Sequence, residues 1–224
     1  DDDAEVVDPE TREIKRTLER ALEKWPTHPG LCHFYIHLME MSDEPARALP
    51  QCDALRRNWS DFGHLAHMPS HIDMQVGKYG AAAEANRLGI ASDLKMMRYR
   101  EKTFASESFY FGYLAHNYHM HAWAAMFDGH YASAIKSARE LVEITPEKTL
   151  RAWAPDLENY MAIKWHVLVR FGKWDAILNE PLESDRDLYP VCIATGLYAK
   201  GIACSALGHV ARAVEFEARF AAAV

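Results

Sequence analysis

The sequence predicts an all-α protein, a solenoid of antiparallel helical hairpins, and three observations support this. Apolar residues recur every three or four positions along most of the chain, as on the buried face of a helix, and few stretches alternate as strands do. A short turn followed by an alanine-rich helix recurs along the chain. Histidines stand at matching positions in successive copies of that unit. Residues 1–224 are therefore interpreted as a single helical-repeat domain.

The composition argues against several classes of function. The 224 residues carry a formal net charge of −7 at pH 7 and no basic stripe, which argues against electrostatic binding to nucleic acid. No apolar run approaches the roughly 20 residues that a helix needs to cross a bilayer, so no membrane span is expected. The four cysteines are widely spaced, and we expect buried free thiols and no disulfide framework.

The first two helices can be placed from their capping residues. Asp8-Pro9-Glu10 supplies an N-cap, a proline in the first turn and an acidic residue after it, so a helix should begin there and end at Trp25-Pro26. His28-Pro29-Gly30 opens the next helix. Residues 1–29 are interpreted as the second helix of an incomplete repeat, and residues 30–224 as about five hairpins of a longer array.

Five turns mark the internal repeat. They begin at Ser42, Gly77, Gly129, Gly172 and Gly208, and a predicted helix starts within a few residues after each of them. Aligned at Pro45, Tyr79, Tyr131, Trp174 and Val210, successive copies are 34, 52, 43 and 36 residues apart. Two of these spacings lie near the 34-residue period of tetratricopeptide (TPR) repeats. The sequence therefore predicts a TPR-like α-solenoid, with its longest insertion near Met97–Phe109.

The histidines fall into register when the copies are aligned at their turns. In TPR-like hairpins the first helix lines the concave groove, and neighbouring helices lie about 8–10 Å apart between axes. The matching positions hold His33, His67 and His119; His37, His71 and His166; and His64 and His116. In the third copy of the repeat, Trp123 stands where the second of these matching positions would otherwise hold a histidine. We therefore expect imidazoles from neighbouring helices to meet in the groove.

A cluster of neutral imidazoles with a nearby carboxylate is typical of a transition-metal site. The candidate ligands by register are His33, His37, His67, His71 and His119, with His64, His116, Glu40 and His166 as weaker candidates. Zinc, iron, copper and manganese all fit this donor set. Glu40 and Asp73 are carboxylate ligands or partners that would fix the imidazole tautomers. If the site is catalytic, Glu40 or Tyr113 would move protons.

The same histidines allow other interpretations. A groove lined by histidine, tyrosine and acidic groups would also suit a small-molecule substrate without metal, or a peptide or protein partner on a non-catalytic scaffold. A hydrogen-bonded ladder of histidine and tyrosine would be purely structural. Pro69 lies within the focal stretch His64–Asp73. It either interrupts a helix there, which would free backbone carbonyls, or simply occupies a first turn.

Several motifs resemble a known group of proteins. They are His28-Pro29-Gly30-x-x-His33-x-x-Ile36-His37, His64-x-x-His67-Met68-Pro69-Ser70-His71-Ile72, Gly77-x-Tyr79-x-x-Ala82-x-x-Ala85-Asn86 and Ala115-His116-Asn117-x-His119. Together they are similar to a widespread group of tetratricopeptide-repeat proteins, many of them bacterial. The resemblance covers Asp8–Glu143 and, beyond that, only the repeat pattern. It implies the repeat fold, a functional role for the histidines and further repeats upstream, without naming a reaction or a substrate.

Overall fold

Every regular element that the structure describes is helical. The computed structural model describes residues 8–99 and 110–224, and its elements within those ranges are α-helices and one 3₁₀ turn. The all-α prediction is confirmed. Most of the insertion predicted near Met97–Phe109 lies outside the described residues.

The chain divides into two compact units between Asp93 and Leu94, inside one helix. We call the described residues up to Asp93 the N-terminal unit and those from Leu94 the C-terminal unit. That both belong to one continuous repeat array stays a prediction.

The N-terminal unit begins with the two helices that capping residues predicted. Asp8 accepts a hydrogen bond from the Thr11 N–H at the start of the first helix, and His28 Nδ1 accepts one from the Leu31 N–H at the start of the second. The helices are α1 (Pro9–Lys24), α2 (Pro29–Glu40), α3 (Leu49–Asn58), α4 (Gly63–His67), α5 (Pro69–Gln75) and α6 (Tyr79–Tyr99), with the 3₁₀ turn at Pro45–Ala48. Helix α6 continues past Asp93 into the C-terminal unit.

The C-terminal unit continues the all-helical pattern. Its helices are α7 (Tyr110–Phe127), α8 (Tyr131–Ile144), α9 (Glu147–Ala152), α10 (Ala154–Met161), α11 (Ile163–Arg170), α12 (Trp174–Asn179), α13 (Pro190–Ala206) and α14 (Val210–Ala221). Among the helices described in either unit, none is both long and apolar enough to span a bilayer. All four cysteines are free and buried, as the sequence predicted.

Four of the five predicted turns share one backbone geometry. Gly77, Gly129, Gly172 and Gly208 all have φ between 60° and 79°, which glycine adopts without the steric cost of a Cβ. At Gly77 the next N–H, of Lys78, bonds the Asp73 carbonyl at 2.8 Å, while the Gly77 N–H bonds that of Met74. The other three turns repeat this pair of bonds, which is the Schellman cap of a helix C-terminus. The first turn differs, since Pro45–Ala48 forms the 3₁₀ turn.

The helices pack in the same order within each unit. Helix α5 contacts both α2 and α3 in the N-terminal unit. In the C-terminal unit α11 contacts both α7 and α8, and α13 contacts both α11 and α12. The core between α2, α3 and α5 contains the fully buried Ile36, Met39, Leu55 and Ile72. Helices α5, α11 and α13 therefore each pack against an earlier pair of helices in their own unit.

Pro69 separates α4 from α5. Helix α4 ends at His67 and α5 begins at Pro69, with only Met68 between them. Proline has no N–H to donate to the carbonyl four residues earlier, which is that of Leu65. The His71 N–H bonds the Met68 carbonyl, three residues back, at 3.3 Å. Both predicted effects of Pro69 occur together: it interrupts the helical path and it opens a new first turn.

Two buried charges hold helix ends in the C-terminal unit. The Glu158 carboxylate accepts hydrogen bonds from the Val191 N–H at 3.2 Å and the Cys192 N–H at 2.7 Å, at the start of α13. The Lys200 ammonium donates to the carbonyl oxygens of Ile177, Leu178 and Glu180, at the end of α12. An anion at a helix N-terminus and a cation at a C-terminus both complement the helix dipole.

Candidate metal centre

Five imidazoles of the N-terminal unit form a closed ring of contacts, which we call the histidine ring. The ring centroids of His33 and His37 lie 4.7 Å apart, and those of His37 and His71 lie 4.9 Å apart. His71 contacts His67 at 4.7 Å, and His67 stacks on His64 at 5.8 Å. His64 and His33 close the circuit at 5.0 Å. The register therefore brings together His33, His37, His67 and His71, and the weaker candidate His64 joins them.

Three short segments supply these side chains. Helix α2 carries His33 and His37, which are four residues apart and so share one face. Helix α4 carries His64 and His67, and α5 carries His71. The contacts between α2 and α5 bring the two faces together.

Glu40 joins helices α2 and α5, because each of its carboxylate oxygens accepts a hydrogen bond from a histidine of one of them. His37 Nδ1 lies 2.7 Å from Oε1, and His71 Nδ1 lies 2.5 Å from Oε2. A carboxylate can only accept, so both imidazoles donate from Nδ1. Burial acts to raise the pKa of Glu40, but the hydrogen bonds from His37 and His71 outweigh it and lower that pKa to about 2. Glu40 is therefore a carboxylate that holds two histidines in one tautomer.

Asn86 on α6 fixes the tautomer of His67 in the same way. The Asn86 amide donates from Nδ2 to the Ala82 carbonyl at 2.9 Å, which orients its oxygen towards His67. His67 Nδ1 lies 2.6 Å from Asn86 Oδ1 and therefore donates to it. Ser70 Oγ also lies 3.3 Å from this nitrogen. His67 is fully buried, so its orientation is set by protein groups.

Two pairs of Nε2 atoms in the ring lie within hydrogen-bonding distance of each other. His33 Nε2 lies 3.0 Å from His64 Nε2, and His67 Nε2 lies 2.8 Å from His71 Nε2. Metal–nitrogen bonds of about 2.0–2.1 Å place neighbouring ligand atoms about 2.9–3.3 Å apart for angles between 90° and 109°. Both nitrogen pairs lie close to that range.

Two sets of three side chains in the ring region could hold a metal ion. The first is His33, His37 and His64, and the second is His37, Glu40 and His71; in each set the ligand atoms lie within 4.8 Å of one another. Both Glu40 oxygens accept imidazole N–H groups, whereas the first set offers nitrogens alone. Burial lowers the pKa of His33, as do the nearby His37 and His71, while Glu40 acts in the opposite direction. A lowered pKa keeps His33 neutral at pH 7, as a ligand must be.

Asp73 does not take part in the histidine ring. Its carboxylate is fully buried and forms an ion pair with Arg56 on α3. Burial raises the pKa of Asp73, and the Arg56 guanidinium acts against that rise. Of the two carboxylates proposed as partners for the imidazoles, only Glu40 therefore contacts them among the contacts the structure describes.

The C-terminal unit also contains histidine and aromatic side chains that contact one another. His119 on α7 stacks on Tyr160 with ring centroids 4.6 Å apart, and its Nε2 accepts a hydrogen bond from Trp123 Nε1 at 3.2 Å. Tyr160 also places its hydroxyl 3.4 Å from His116 Nδ1. Trp123 stacks on His166 at 6.1 Å. Burial, followed by the proximity of His116 and His166, lowers the pKa of His119 to about 4.

Within this unit His119, His116 and His166 make hydrogen-bonded or stacking contacts with aromatic side chains. Tyr113, the second candidate for proton transfer, lies on α7 with its ring 5.9 Å from that of Tyr110. Metal binding by the three histidines and proton transfer by Tyr113 stay predictions.

Two residues that contact the histidines, Asn86 and Tyr160, are not among the site residues predicted from the sequence. Asn86 is a polar residue on the buried face of α6 among Ala82, Ala85 and Gly89. Because buried polar groups are nearly always hydrogen-bonded, an amide among such small residues indicates a buried hydrogen-bond partner. Tyr160, in contrast, has no comparable signal, because aromatic residues are common in helical cores.

Comparisons of the chain with protein-family models, with curated proteins and with solved structures found no match.

Proposed function

We propose that the N-terminal unit binds a divalent transition metal through the histidine ring, with His33, His37 and His64 as its ligands. The observation that carries this is the convergence of three imidazoles from two helices, with ligand atoms within 4.8 Å of one another. Stacked or core histidines need no such convergence of nitrogens. Two of the converging nitrogens, Nε2 of His33 and Nε2 of His64, lie 3.0 Å apart, close to the separation of two ligand atoms on one ion.

Glu40 supports the proposal from outside the ligand set. It accepts the Nδ1 proton of His37 and so leaves Nε2 as the nitrogen with a lone pair. Metal-binding histidines almost always donate their other N–H to such a partner, which fixes the ring and strengthens the ligand. Because His71 takes the second oxygen, Glu40 acts as a positioning residue and is not a free base.

The donor set favours zinc among the candidate metals, with iron, copper and manganese as the alternatives. Three neutral imidazoles with an open position are a common arrangement of catalytic zinc, whose bound water is acidified to a pKa near 7. The His37 side chain is 38% exposed, so the site is reachable from solvent. Lewis-acid or water-activating chemistry is therefore the enzymatic activity that this site suits best.

We also propose that the helices form a TPR-like solenoid. Four identical helix caps at the predicted turns support a repeated unit. Further support is that α5, α11 and α13 each pack on both helices of the hairpin before them within their own units.

Metal titration of the full chain tests the function. Protein stripped with a chelator would be titrated with Zn²⁺ by calorimetry and with Co²⁺ by absorption, which reports the coordination geometry. We expect saturable binding that His33→Ala and His64→Ala each weaken. His209→Ala is the matched control, because that histidine is exposed in the turn before α14. Binding no stronger than that of a variant lacking His33, His37 and His64 would contradict the proposal.

A further inference from the structure

A groove between α1 and α2 carries large apolar side chains that are exposed. Ile14 is 52% exposed and Phe34 is 59% exposed. Leu18 and Leu38 also lie in the groove, and both pack against the core of the N-terminal unit. The groove has a volume of about 740 Å³. We call it the α1–α2 groove, and its lining includes Glu10, Glu13, Ile14, Leu18, Phe34 and Leu38.

The lining residues of α1 share one face of that helix. Glu10, Ile14 and Leu18 are four residues apart, and Glu13 lies three residues after Glu10. At 1.5 Å per residue, the face from Glu10 to Leu18 is about 12 Å long, or about two helical turns. An occupant that follows the whole groove as a helix therefore needs at least about eight residues.

Grooves of the same kind are filled by a helix elsewhere in each unit. In the N-terminal unit, α3 and α5 contact each other and α2 packs against both. In the C-terminal unit, α7 packs in this way against α8 and α11, and α11 packs in this way against α12 and α13. Helix α1 packs against α2 but against no other described helix to a comparable extent. The packing within this chain therefore indicates that the α1–α2 groove suits a helix.

The charges at the groove favour a basic occupant. Glu10 and Glu13 line it and are exposed, and no lysine or arginine is among the described residues that line it. Complementary charges at an interface speed association and select the partner. The net charge of the whole chain is −7, which disfavours a second copy of the chain as the occupant.

We infer that the α1–α2 groove binds an amphipathic helix of a partner protein. The apolar face of that helix covers Ile14 and Phe34, and basic residues along its edge lie beside Glu13. Such helices present apolar residues at positions i, i+3, i+4 and i+7 to the groove that binds them. Phe34 is the one aromatic side chain of the described lining, so we expect it to contribute most to binding. The inference does not depend on bound metal, although His37, a proposed ligand, also lines the groove.

A synthetic peptide tests the inference. The probe has about 15 residues, with leucine at the i, i+3, i+4 and i+7 positions, lysine along the edge of that face and a fluorescent label. Its binding to the full-length chain, stripped of metal and kept in chelator, would be followed by anisotropy, and its helicity by circular dichroism. We expect saturable binding of one peptide per chain with a gain of helix. Phe34→Ala should weaken binding about tenfold. Trp25→Ala is the matched control, because Trp25 is an exposed aromatic residue outside the lining of the groove.

Exchanging the charges tests the basic edge. Glu10→Lys with Glu13→Lys should weaken binding of the lysine peptide at least about fivefold and should improve binding of a peptide with glutamate in place of lysine. Glu23→Lys is the control, because Glu23 is exposed on α1 outside the lining.

Four results would overturn the inference. They are no binding of the lysine peptide, binding without a gain of helix, equal effects of Phe34→Ala and Trp25→Ala, and equal effects of the groove and control charge reversals. A dimer of the chain alone in sedimentation that Phe34→Ala dissociates would assign the groove to a second copy and would also overturn it. Because the protein is free of metal throughout, none of these results bears on the proposed metal site.

Discussion

His33 Nε2 lies 3.0 Å from His64 Nε2, although 31 residues separate them in sequence. Because this contact joins α2 to α4, it brings a ligand from outside α2 to the proposed metal site. We predict that His64→Ala lowers Zn²⁺ affinity by more than the 10- to 100-fold that loss of an outer partner typically costs. Calorimetric titration of the stripped protein measures this. A variant that binds Zn²⁺ as tightly as the parent would remove His64 from the ligand set.

Glu40→Gln should weaken metal binding without removing a ligand. The glutamine amide keeps one oxygen that accepts an imidazole N–H, but its NH2 group, a donor, would face the N–H of the other imidazole. We expect a 10- to 100-fold loss of Zn²⁺ affinity, as for other partners of metal-binding histidines. Glu44→Gln is the control, because Glu44 is exposed and pairs with Arg47. Equal affinities for the two variants would show that Glu40 does not position the histidines.

Gly63→Ala should damage both stability and metal binding. A Cβ at residue 63, the first residue of α4, would lie 1.8 Å from the Oδ1 atom of the fully buried Asp93. We expect a loss of about 1–3 kcal/mol in the free energy of unfolding, since overpacking forces the neighbours apart. The displacement of α4 would also move His64 and His67, so Zn²⁺ affinity should fall. Urea denaturation and calorimetry measure the two effects.

Gly112→Ala is the matched control for that change. A Cβ at residue 112 meets nothing within 4 Å, and the residue lies inside α7. Alanine should stabilise the protein here by about 0.4–1 kcal/mol, because it has less freedom to lose on folding. If Gly63→Ala is as stable as Gly112→Ala, then α4 adapts without strain, and the close approach to Asp93 has no structural role.

The helical fold could be predicted from the sequence because the signals that specify it, turn glycines and helix caps, involve residues close together in the chain. The four turn glycines were found by pattern, and each has the positive φ that made glycine necessary. Caps at Asp8 and His28 likewise depend on residues three apart. What stays a prediction is the continuous solenoid, since that depends on packing between the two units and not on local signals.

The site was predicted less completely, because contacts between side chains of different helices depend on how far the helices are shifted along their axes. Equal register would pair His33 with His67, and it does pair His37 with His71, at 4.9 Å. His33 instead meets His64, one helical turn earlier. The helix break at Pro69 lies between His67 and His71, so a single repeat offset does not describe both ends of the ring. No sequence pattern specifies how far such a break shifts a helix.

Lys200→Met should destabilise the C-terminal unit. The ammonium donates to the Ile177, Leu178 and Glu180 carbonyl oxygens, and its removal leaves these acceptors without that donor. Hydrogen bonds to charged groups contribute about 1.5–3 kcal/mol each, partly offset here by the cost of burying the charge, which also lowers the pKa of Lys200. We expect a net loss of about 2 kcal/mol in the free energy of unfolding by urea. Lys136→Met, at an exposed position, should change it by less than about 0.5 kcal/mol.

Stability should also fall between pH 6.5 and pH 4 because of His119. Its pKa is lowered from 6.5 to about 4 in the folded chain, so in this window the unfolded chain binds a proton that the folded chain does not. The contribution is complete above pH 6.5 and is lost progressively as pH falls to about 4. A shift of this size corresponds to about 3 kcal/mol.

His119→Gln should flatten that pH dependence, because glutamine does not titrate yet still offers an oxygen to the Trp123 N–H. Urea denaturation at several pH values, with chelator present to keep the N-terminal unit free of metal, measures the slope. His209→Gln, at an exposed turn position, should leave the slope unchanged. Parallel slopes for the parent and His119→Gln would mean that His119 is protonated equally in the folded and unfolded chains. In that case the stack on Tyr160 and the bond from Trp123 would not exclude water as closely as their distances of 4.6 and 3.2 Å imply.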